Sequence, residues 1–528
     1  MWVSPNGRPL YTRAEVAEHA TPEKRIWVTY GDGVYDVTDF VAIHPGGERI
    51  MLAAGRAVDP FWAVFSVHGT PETRELIEQY RIGDLVPRES DPSAAEMDSR
   101  GTGLEMLFAN EPERHPSLRV RAARPCNAEA APESLLPYVT PNELFFVRNH
   151  LPVPVIDADT FELAVEGPGI PDDFRVSVTD LKTKFPPTSV MVTLQCAGNR
   201  RAEMHAVKPV KGLQWESGAV SNAVWTGVRL RDLLAAAGYT LPDLSSAELP
   251  DGVAHVHFDG AEGYGASIPA EKALDPRGDV LIAYEMNGEP IPRDHGFPLR
   301  AVVPGHVAAR SVKWLSRIAL SDDESPSHWQ QRDYKGFSPS ATLETSDYSR
   351  AQSIQELPVQ SAIVFPRPGD AVVPDKDGCV PVRGYAVSGG GRAIYRVDVS
   401  PDGGKSWIDA DIVRAPDQPY GRHWAWTQWE ARVPVAAAIS ASLSPSAAAG
   451  SSAASDAEPV GKITLVCKAV DSSYNSQPET FEGIYNVRGV LVGAWSRVPV
   501  QVKPPSEGTA SGTQQHQQQH QQQHPPQR

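Results

Sequence analysis

Prolines at 48 positions and glycines at 42, scattered through 528 residues, deny this chain long uninterrupted helices. Proline removes a backbone donor and clashes with the preceding turn, and glycine raises the entropy lost on ordering. Short strands, short helices and many loops are therefore predicted, in two to four bodies each burying its own core. No run of about 18 apolar residues occurs, so no membrane span is expected. The net charge of −16 weighs against nucleic acid, whose binding needs lysine and arginine on the phosphates, and favours a basic protein partner. The four cysteines, Cys126, Cys196, Cys379 and Cys467, are far apart and include no CxxC, so neither a disulfide framework nor a zinc ribbon is indicated. Any cysteine with a special role must act singly.

The chain divides by pattern. Residues 5–87 form a compact unit closing at Ile82-Gly83-Asp84-Leu85. Residues 88–114 are polar and lack sustained periodicity, which reads as a flexible linker spanning roughly 25–30 Å on average. Residues 115–350 mix strand runs such as SVMVTLQC with helical patches such as LRDLLAAAG, an α+β pattern. Over 355–505 the period becomes two: Ala393, Tyr395, Val397 and Val399 share one face before the turn Pro401-Asp402-Gly403-Gly404, as in a β-sandwich. The insertion AAAISASLSPSAAAGSSAASDAEP and the Gln/His tail 506–528 are predicted to be disordered. Met1 to Tyr11 shows neither a signal-peptide core nor an amphipathic presequence, so a chain without a leader, or a processed or incomplete one, is expected.

In the first unit, Val34 to Phe40 reads as a strand running into a helix capped by Thr38 or Asp39, followed by His44-Pro45-Gly46-Gly47. The proline and glycines break the helix and let backbone approach a planar ligand. Asp59-Pro60 opens a second helical run, FWAVFSVH, ending at His68, with Phe61, Val64 and Phe65 as an apolar wall. Two imidazoles on facing segments would fill both axial positions of a haem, leaving electron exchange as its role, and the lack of C-x-x-C-H means no covalent attachment. This unit resembles the cytochrome b5 family, in the HPGG turn and the closing EQYRIGDL. The resemblance implies a b-type haem with His44 and His68 as iron ligands.

In the second, the buried-strand run Val190 to Gln195 delivers Cys196-Ala197-Gly198-Asn199-Arg200-Arg201. Two arginines following a cysteine favour its thiolate, a soft metal ligand. Spacing alone leaves a buried structural cysteine equally open. QCAGNRR, with NELFFVRNHLPVP before it and VKGLQWESGAVSNAVWTG, IPRDHGFPLRAVVPGHVAARSVKW and SHWQQRDYKGFSPS after it, resembles the sulfite oxidase family of molybdenum enzymes over most of 115–505. The fold then implied is multidomain α+β: a cytochrome b5-like domain, a mixed α+β molybdopterin domain and a C-terminal immunoglobulin-like β-sandwich that mediates homodimerisation.

The same resemblance implies Cys196 as molybdenum ligand beside a pterin dithiolene. Phe146, Val147, Arg148, Asn149 and His150, with His295, Arg300, Ser311, Val312 and Lys313, would hold the phosphate-bearing cofactor. An acidic contact is expected near Asp259 to Glu262, where this sequence is shorter, and Asp259 is taken for it. The sulfite pocket maps onto Arg148, Arg201, Trp215, Tyr334 and Arg488. Read alone, His295 and Arg300 are ordinary loop residues, Trp215 a core aromatic and Arg488 an exposed strand arginine.

The implied reaction is oxygen-atom transfer: two electrons taken from sulfite, passed singly through the haem to cytochrome c as acceptor. Sulfite is thus the expected substrate, molybdenum-molybdopterin and haem b the cofactors, and the linker would let the haem unit move. Two rivals remain. A nitrate reductase would place the haem unit after the molybdenum domains and add a flavin reductase, against the order seen here. A haem carrier on an inactive molybdenum scaffold has no need of Cys196, Arg148, Arg201, Tyr334 and Arg488 together. Among animal enzymes of this type the haem-bearing forms occupy the mitochondrial intermembrane space, the compartment the resemblance favours here.

Overall fold

The structure, a computed structural model, describes residues 2–4, 6–44, 47–65, 68–69, 71–101, 103–242, 252–442 and 461–503. Among these the longest α-helix is Pro71–Glu78, as the proline and glycine content requires. No described helix is long and apolar enough to cross a membrane.

The N-terminal body is a five-stranded sheet in the order Trp2–Val3, Pro9–Tyr11, Arg81–Leu85, Gly33–Asp36, Trp27–Tyr30. Helices Thr38–Ile43, Asp59–Val64 and Pro71–Glu78 accompany a core that includes Ile26, Val28, Tyr35, Phe61 and Ile77. Two expected details change. The residue at the cap of the first helix is Val37, and the capping group is the carboxylate of Asp36, which accepts from Thr38 N (3.2 Å) and Thr38 Oγ1 (2.6 Å). The second helix stops at Val64, so His68 stands beyond it. Pro45 and Gly46 of the turn lie outside the described residues.

Residues 88–114 depart from the irregular connection expected of them. They carry helices Ala94–Ser99 and Leu104–Leu107, and both ends are tied down. On the N-terminal side Asp91 pairs with Arg13 (2.9 Å), Ser93 Oγ accepts from Ala14 N (3.0 Å), and Leu104 and Leu107 pack against the core of the N-terminal body. On the central side Glu111 accepts from Val153 N (2.9 Å) and Arg114 grips Asp294 through two bonds of 2.8 and 2.9 Å. Three apolar residues in one turn are too few to register as a period, yet enough to dock a helix.

The central body has a small three-stranded sheet (Arg119–Ala122, Asn127–Glu129, Val147–Arg148) and two larger ones. One runs Arg175–Ser177, Glu162–Glu166, Leu315–Ser321, His255–Gly260, Gly265–Pro269; the other runs Thr188–Gln195, Val220–Arg229, Leu281–Met286, Glu289–Pro290, with Arg300–Val302 also paired to Leu281–Met286. Helices Val178–Lys184 and Leu230–Ala236 bury Leu181, Leu233 and Leu234 in its core, giving the mixed helix and strand content anticipated.

The C-terminal body packs a four-stranded sheet (Gln360–Phe365, Cys379–Val387, Thr427–Pro434, Asp411–Arg414) with a five-stranded one (Ala371–Val372, Ser496–Val502, Gly461–Asp471, Ile394–Ser400, Ile408–Asp409). Their shared core holds Val382, Val397, Val399, Trp429, Leu465 and Cys467. The expected alternation fails at Tyr395, which is 53% exposed while Ile394 is buried. A bulge between Ile394 and Arg396 shifts the register there and turns the tyrosine outward. The insertion predicted to be disordered begins as a helix, Ala436–Ser442, with Ala438 buried; the rest of it, like the Gln/His tail, lies outside the described residues.

Candidate active site

Strand Thr188–Gln195 pairs with Val220–Arg229 to its last residue, Gln195 opposite Val220, and so carries Cys196 into the interior. The turn that follows is fixed at both ends: Cys196 N donates to Ala219 O (2.9 Å) and Asn199 N to Cys196 O (3.0 Å). Asn199 then donates to Tyr385 Oη (3.1 Å) and accepts from Ala219 N (3.0 Å), so a sandwich side chain helps hold the cysteine turn.

The two arginines after the turn diverge, which the sequence did not reveal. Arg200 takes a left-handed backbone (φ 65°) and points away from Cys196. Its fully buried guanidinium meets Glu203 (2.8 and 2.6 Å) and donates to the carbonyls of Ser361 (3.3 Å) and Ala494 (2.8 Å), joining the central body to the sandwich. Only Arg201 is left to act on the thiol. It lies in a groove where Cβ atoms on Gly198 or Gly212 would fall 2.5 and 2.8 Å from its guanidinium, and its Nε donates to the carbonyls of Arg488 (3.1 Å) and Gly489 (2.9 Å).

Cys196 opens on a cavity that most of the expected residues reach. Phe146, Arg148, His150 and Tyr334 line it, as do His295, Arg300, Ser311, Val312 and Lys313. Val147 and Asn149 alternate away from it: Val147 enters a small core with Cys126, and Asn149 lies behind the wall, donating to Asp294 (3.0 Å) and accepting from Lys313. Trp215 is wholly buried in the same apolar cluster as Cys196, and Arg488 pairs with Asp333 (2.8 Å), the residue before Tyr334. Asp259 is not among the lining residues. It forms an ion pair with Arg317 (2.6 Å), and the acidic side chains at the cavity are Glu262 and Asp294. Tyr264, Asp294 and Trp314 also line it and were not anticipated; Asp294 and Trp314 fall within the run IPRDHGFPLRAVVPGHVAARSVKW that carries the resemblance, but neither was singled out there.

Burial sets the charges. Desolvation lowers His295 to about 4 and Arg300 to about 9, and holds His150 well below its ordinary value, so both histidines are neutral. Arg148 is desolvated too, but Tyr334 and Cys196 outweigh this and raise it. Tyr334 is raised by burial and hydrogen-bonds to His150 Nε2 at 3.0 Å, a neutral phenol poised over the cavity. Arg300 donates to His295 O and Ser311 O, both at 2.8 Å, while its buried Nε has no hydrogen-bond partner among the described residues. Buried cations with an unused donor fit an anionic cofactor such as one bearing a phosphate. Among the described residues no three His, Cys, Asp or Glu gather as a metal cage, so a metal at Cys196 would bring its other ligands with it, as a pterin dithiolene does.

Lys313 gives this electrostatic reading a test. Burial, with Arg300 repelling and Asp294 attracting, leaves it at about 7 against an ordinary value of 10.5. Between those pH values the unfolded chain keeps a proton that the folded chain has shed, so stability rises with pH; the penalty is complete below the lower value and gone above the upper. Cofactor-free protein is expected to gain thermal stability from pH 7 to pH 10 relative to Lys313→Met. Parallel melting profiles for the two proteins would refute this.

In the N-terminal body His44 and His68 face one another with ring centroids 6.3 Å apart and planes within 7°. Two metal–imidazole bonds of about 2 Å each, extended by the ring radius at both ends, reach about this separation. His68 is lowered to about 4 by desolvation and by His44, which keeps it in the neutral, ligating form. The surrounding cavity, about 1790 Å³, includes Phe40, Phe61, Phe65 and Leu76; Val64 is not among its lining residues and Trp62, stacked on His68 at 5.4 Å, is. The apolar wall and the paired imidazoles fit a haem.

Comparison with known proteins agrees. Residues 12–86 match the cytochrome b5-like haem/steroid binding domain, 150–329 the oxidoreductase molybdopterin binding domain, and 351–503 the Mo-co oxidoreductase dimerisation domain. These define a multidomain molybdopterin oxidoreductase that carries a b5-type haem module. Sulfite oxidase of Gallus gallus is 50% identical over 93% of this chain and 99% of its own, and mitochondrial sulfite oxidase of Homo sapiens 49% over 94% and 85%. The solved sulfane dehydrogenase SoxCD of Paracoccus pantotrophus superposes with a TM-score of 0.53 at 25% identity, covering 74% of this chain and 86% of that one. The chain belongs to the sulfite oxidase family.

Proposed function

We propose that this protein oxidises sulfite to sulfate, with Cys196 as the protein ligand of a molybdenum–pterin centre and His44 and His68 as the axial ligands of a b-type haem. The observation that carries the reading is a strand-end thiol opening on a cavity walled by buried cations and a neutral phenol. A molybdenum–pterin group bound there supplies two-electron oxygen-atom transfer. Arg300 and Lys313 would hold the cofactor's anionic end. Arg148, anchored to Asn127 Oδ1 and Asn149 O (both 2.9 Å), and Arg201 would hold the substrate anion, with Arg488 and Trp215 fixing the layer behind them. Tyr334 would donate its hydroxyl proton in a hydrogen bond to a sulfite oxygen, oriented by neutral His150.

His44 and His68 would hold the haem between them, and a haem so held would supply one-electron transfer. The acceptor we propose is cytochrome c, whose basic surface would be drawn to a chain of net charge −16. The mitochondrial names of several relatives and this acceptor support the intermembrane space. The matched dimerisation domain supports a homodimer built through the C-terminal body, which we take to be an immunoglobulin-like sandwich. The working domain limits are 5–87, 88–114, 115–350, 355–505 and 506–528. Nitrate is disfavoured because the relatives at about 50% identity are named for sulfite; an inactive scaffold is disfavoured by the intact set of cysteine, arginines and tyrosine.

The test is rapid mixing of metal-replete, oxidised protein with sulfite while following the haem bands. Reduction of the Soret band within the turnover time is expected, and a haem that stays oxidised would overturn the assignment.

A further inference from the structure

The haem-side cavity is not closed within the N-terminal body. It extends from His44 and His68 to the central body, where His328, Trp329 and Glu262 form part of its lining. The Trp329 ring stands 4.8 Å from Tyr264 and 5.6 Å from His150, centroid to centroid, and both of those line the cavity at Cys196. A single indole thus touches the wall of one cofactor space while facing the other. Local backbone explains the arrangement. Trp329–Asp333 is a π-helical turn, whose extra residue changes the direction of successive side chains, and it delivers Trp329 to the haem side and Tyr334 to the Cys196 side. Across the gap Arg332 of the same turn lies 3.9 Å from Glu72 of the N-terminal body, so the turn is where the two bodies meet.

We propose that Trp329 is the bridging residue through which electrons pass from the Cys196 centre to the haem, an inference that rests on the sulfite reading above. Sulfite and water yield sulfate, two protons and two electrons. One electron crosses to ferric haem, making it ferrous; the haem reduces an external one-electron acceptor, and the second electron then crosses. The indole is neither oxidised nor reduced. Its delocalised ring replaces what would otherwise be a saturated or empty gap, and its contact with Tyr264 and His150 carries the path to the cavity wall.

The experiment uses the full holoenzyme with Trp329→Leu and Trp329→Phe. The first-order rate of haem reduction at saturating sulfite is expected to fall about tenfold in the leucine variant and to recover most of that in the phenylalanine variant, while turnover with a small artificial acceptor that draws electrons directly from the molybdenum centre falls far less. A readout free of turnover is the relaxation of a nitroxide on Arg332→Cys by ferric haem, with the parent chain labelled alongside as control; strong enhancement is expected if the haem body sits on this turn. Equal loss of both rates, no loss of either, or no enhancement would overturn the proposal. If the parent protein's own haem fails to bleach, the sulfite reading itself is what falls.

Discussion

Replacing Cys196 by serine is expected to abolish sulfite oxidation, by at least about a thousandfold, a loss on the scale of removing a principal catalytic group, while leaving the haem spectrum unchanged. A serine hydroxyl is a hard donor that stays protonated at neutral pH, and so a poor substitute for a thiolate as a transition-metal ligand. The substitution should not disturb the fold, because the turn is held by backbone bonds to Ala219 and Asn199 rather than through sulfur. Phe61, Trp62 and Phe65, which line the cavity of the His44–His68 pair, belong to a different core cluster from Cys196, and the pair should keep its haem. Turnover assays beside absorption spectra check both halves; appreciable residual oxidation would mean that another group carries the metal.

Removing the other end of the electron path should have the opposite signature. His68→Ala is expected to eliminate the haem bands and cytochrome c reduction, yet spare sulfite oxidation with a small artificial acceptor. His68 is largely buried, neutral and stacked on Trp62, and of the described histidines, cysteines and methionines of the N-terminal body only His44 lines the cavity with it, His257 and His328 lining it from the central body. One imidazole would then have to hold the iron alone. Unchanged cytochrome c reduction would remove His68 from the ligand set, and loss of both activities would show that the two bodies are coupled more tightly than electron transfer requires.

Much of this was legible in the sequence because single segments carry it. A buried strand running into a cysteine, and a strand running into a short helix that ends before His44, each declare their local structure within ten residues. What was not legible is made by long-range register. Arg200 and Arg201 are chemically identical neighbours, yet with a left-handed backbone at Arg200 they part: Arg200 reaches Ser361 O and Ala494 O, and Arg201 reaches Arg488 O and Gly489 O. Asp259 and Glu262 lie three residues apart, but Asp259 is on a strand facing Arg317 while Glu262 belongs to the turn that reaches the cavity. Tyr395 follows the alternation in sequence and escapes it through a bulge. The helices within 88–114 are shorter than any period can announce, and they form because two bodies offer them surfaces.

Beside Leu213 O, the carbonyls that hold Arg200 and Arg201 come from residues 361 and 488–494, more than 150 positions after the cysteine they serve. Ending the polypeptide near residue 350 would therefore not yield a smaller working enzyme. It would strand two desolvated guanidinium groups, take away the tyrosine that braces the turn from outside, and leave a thiol with no fixed aim. Minimal versions of this catalyst have to be sought by trimming loops, since the half that touches no reacting atom is the mould in which the reactive half is cast.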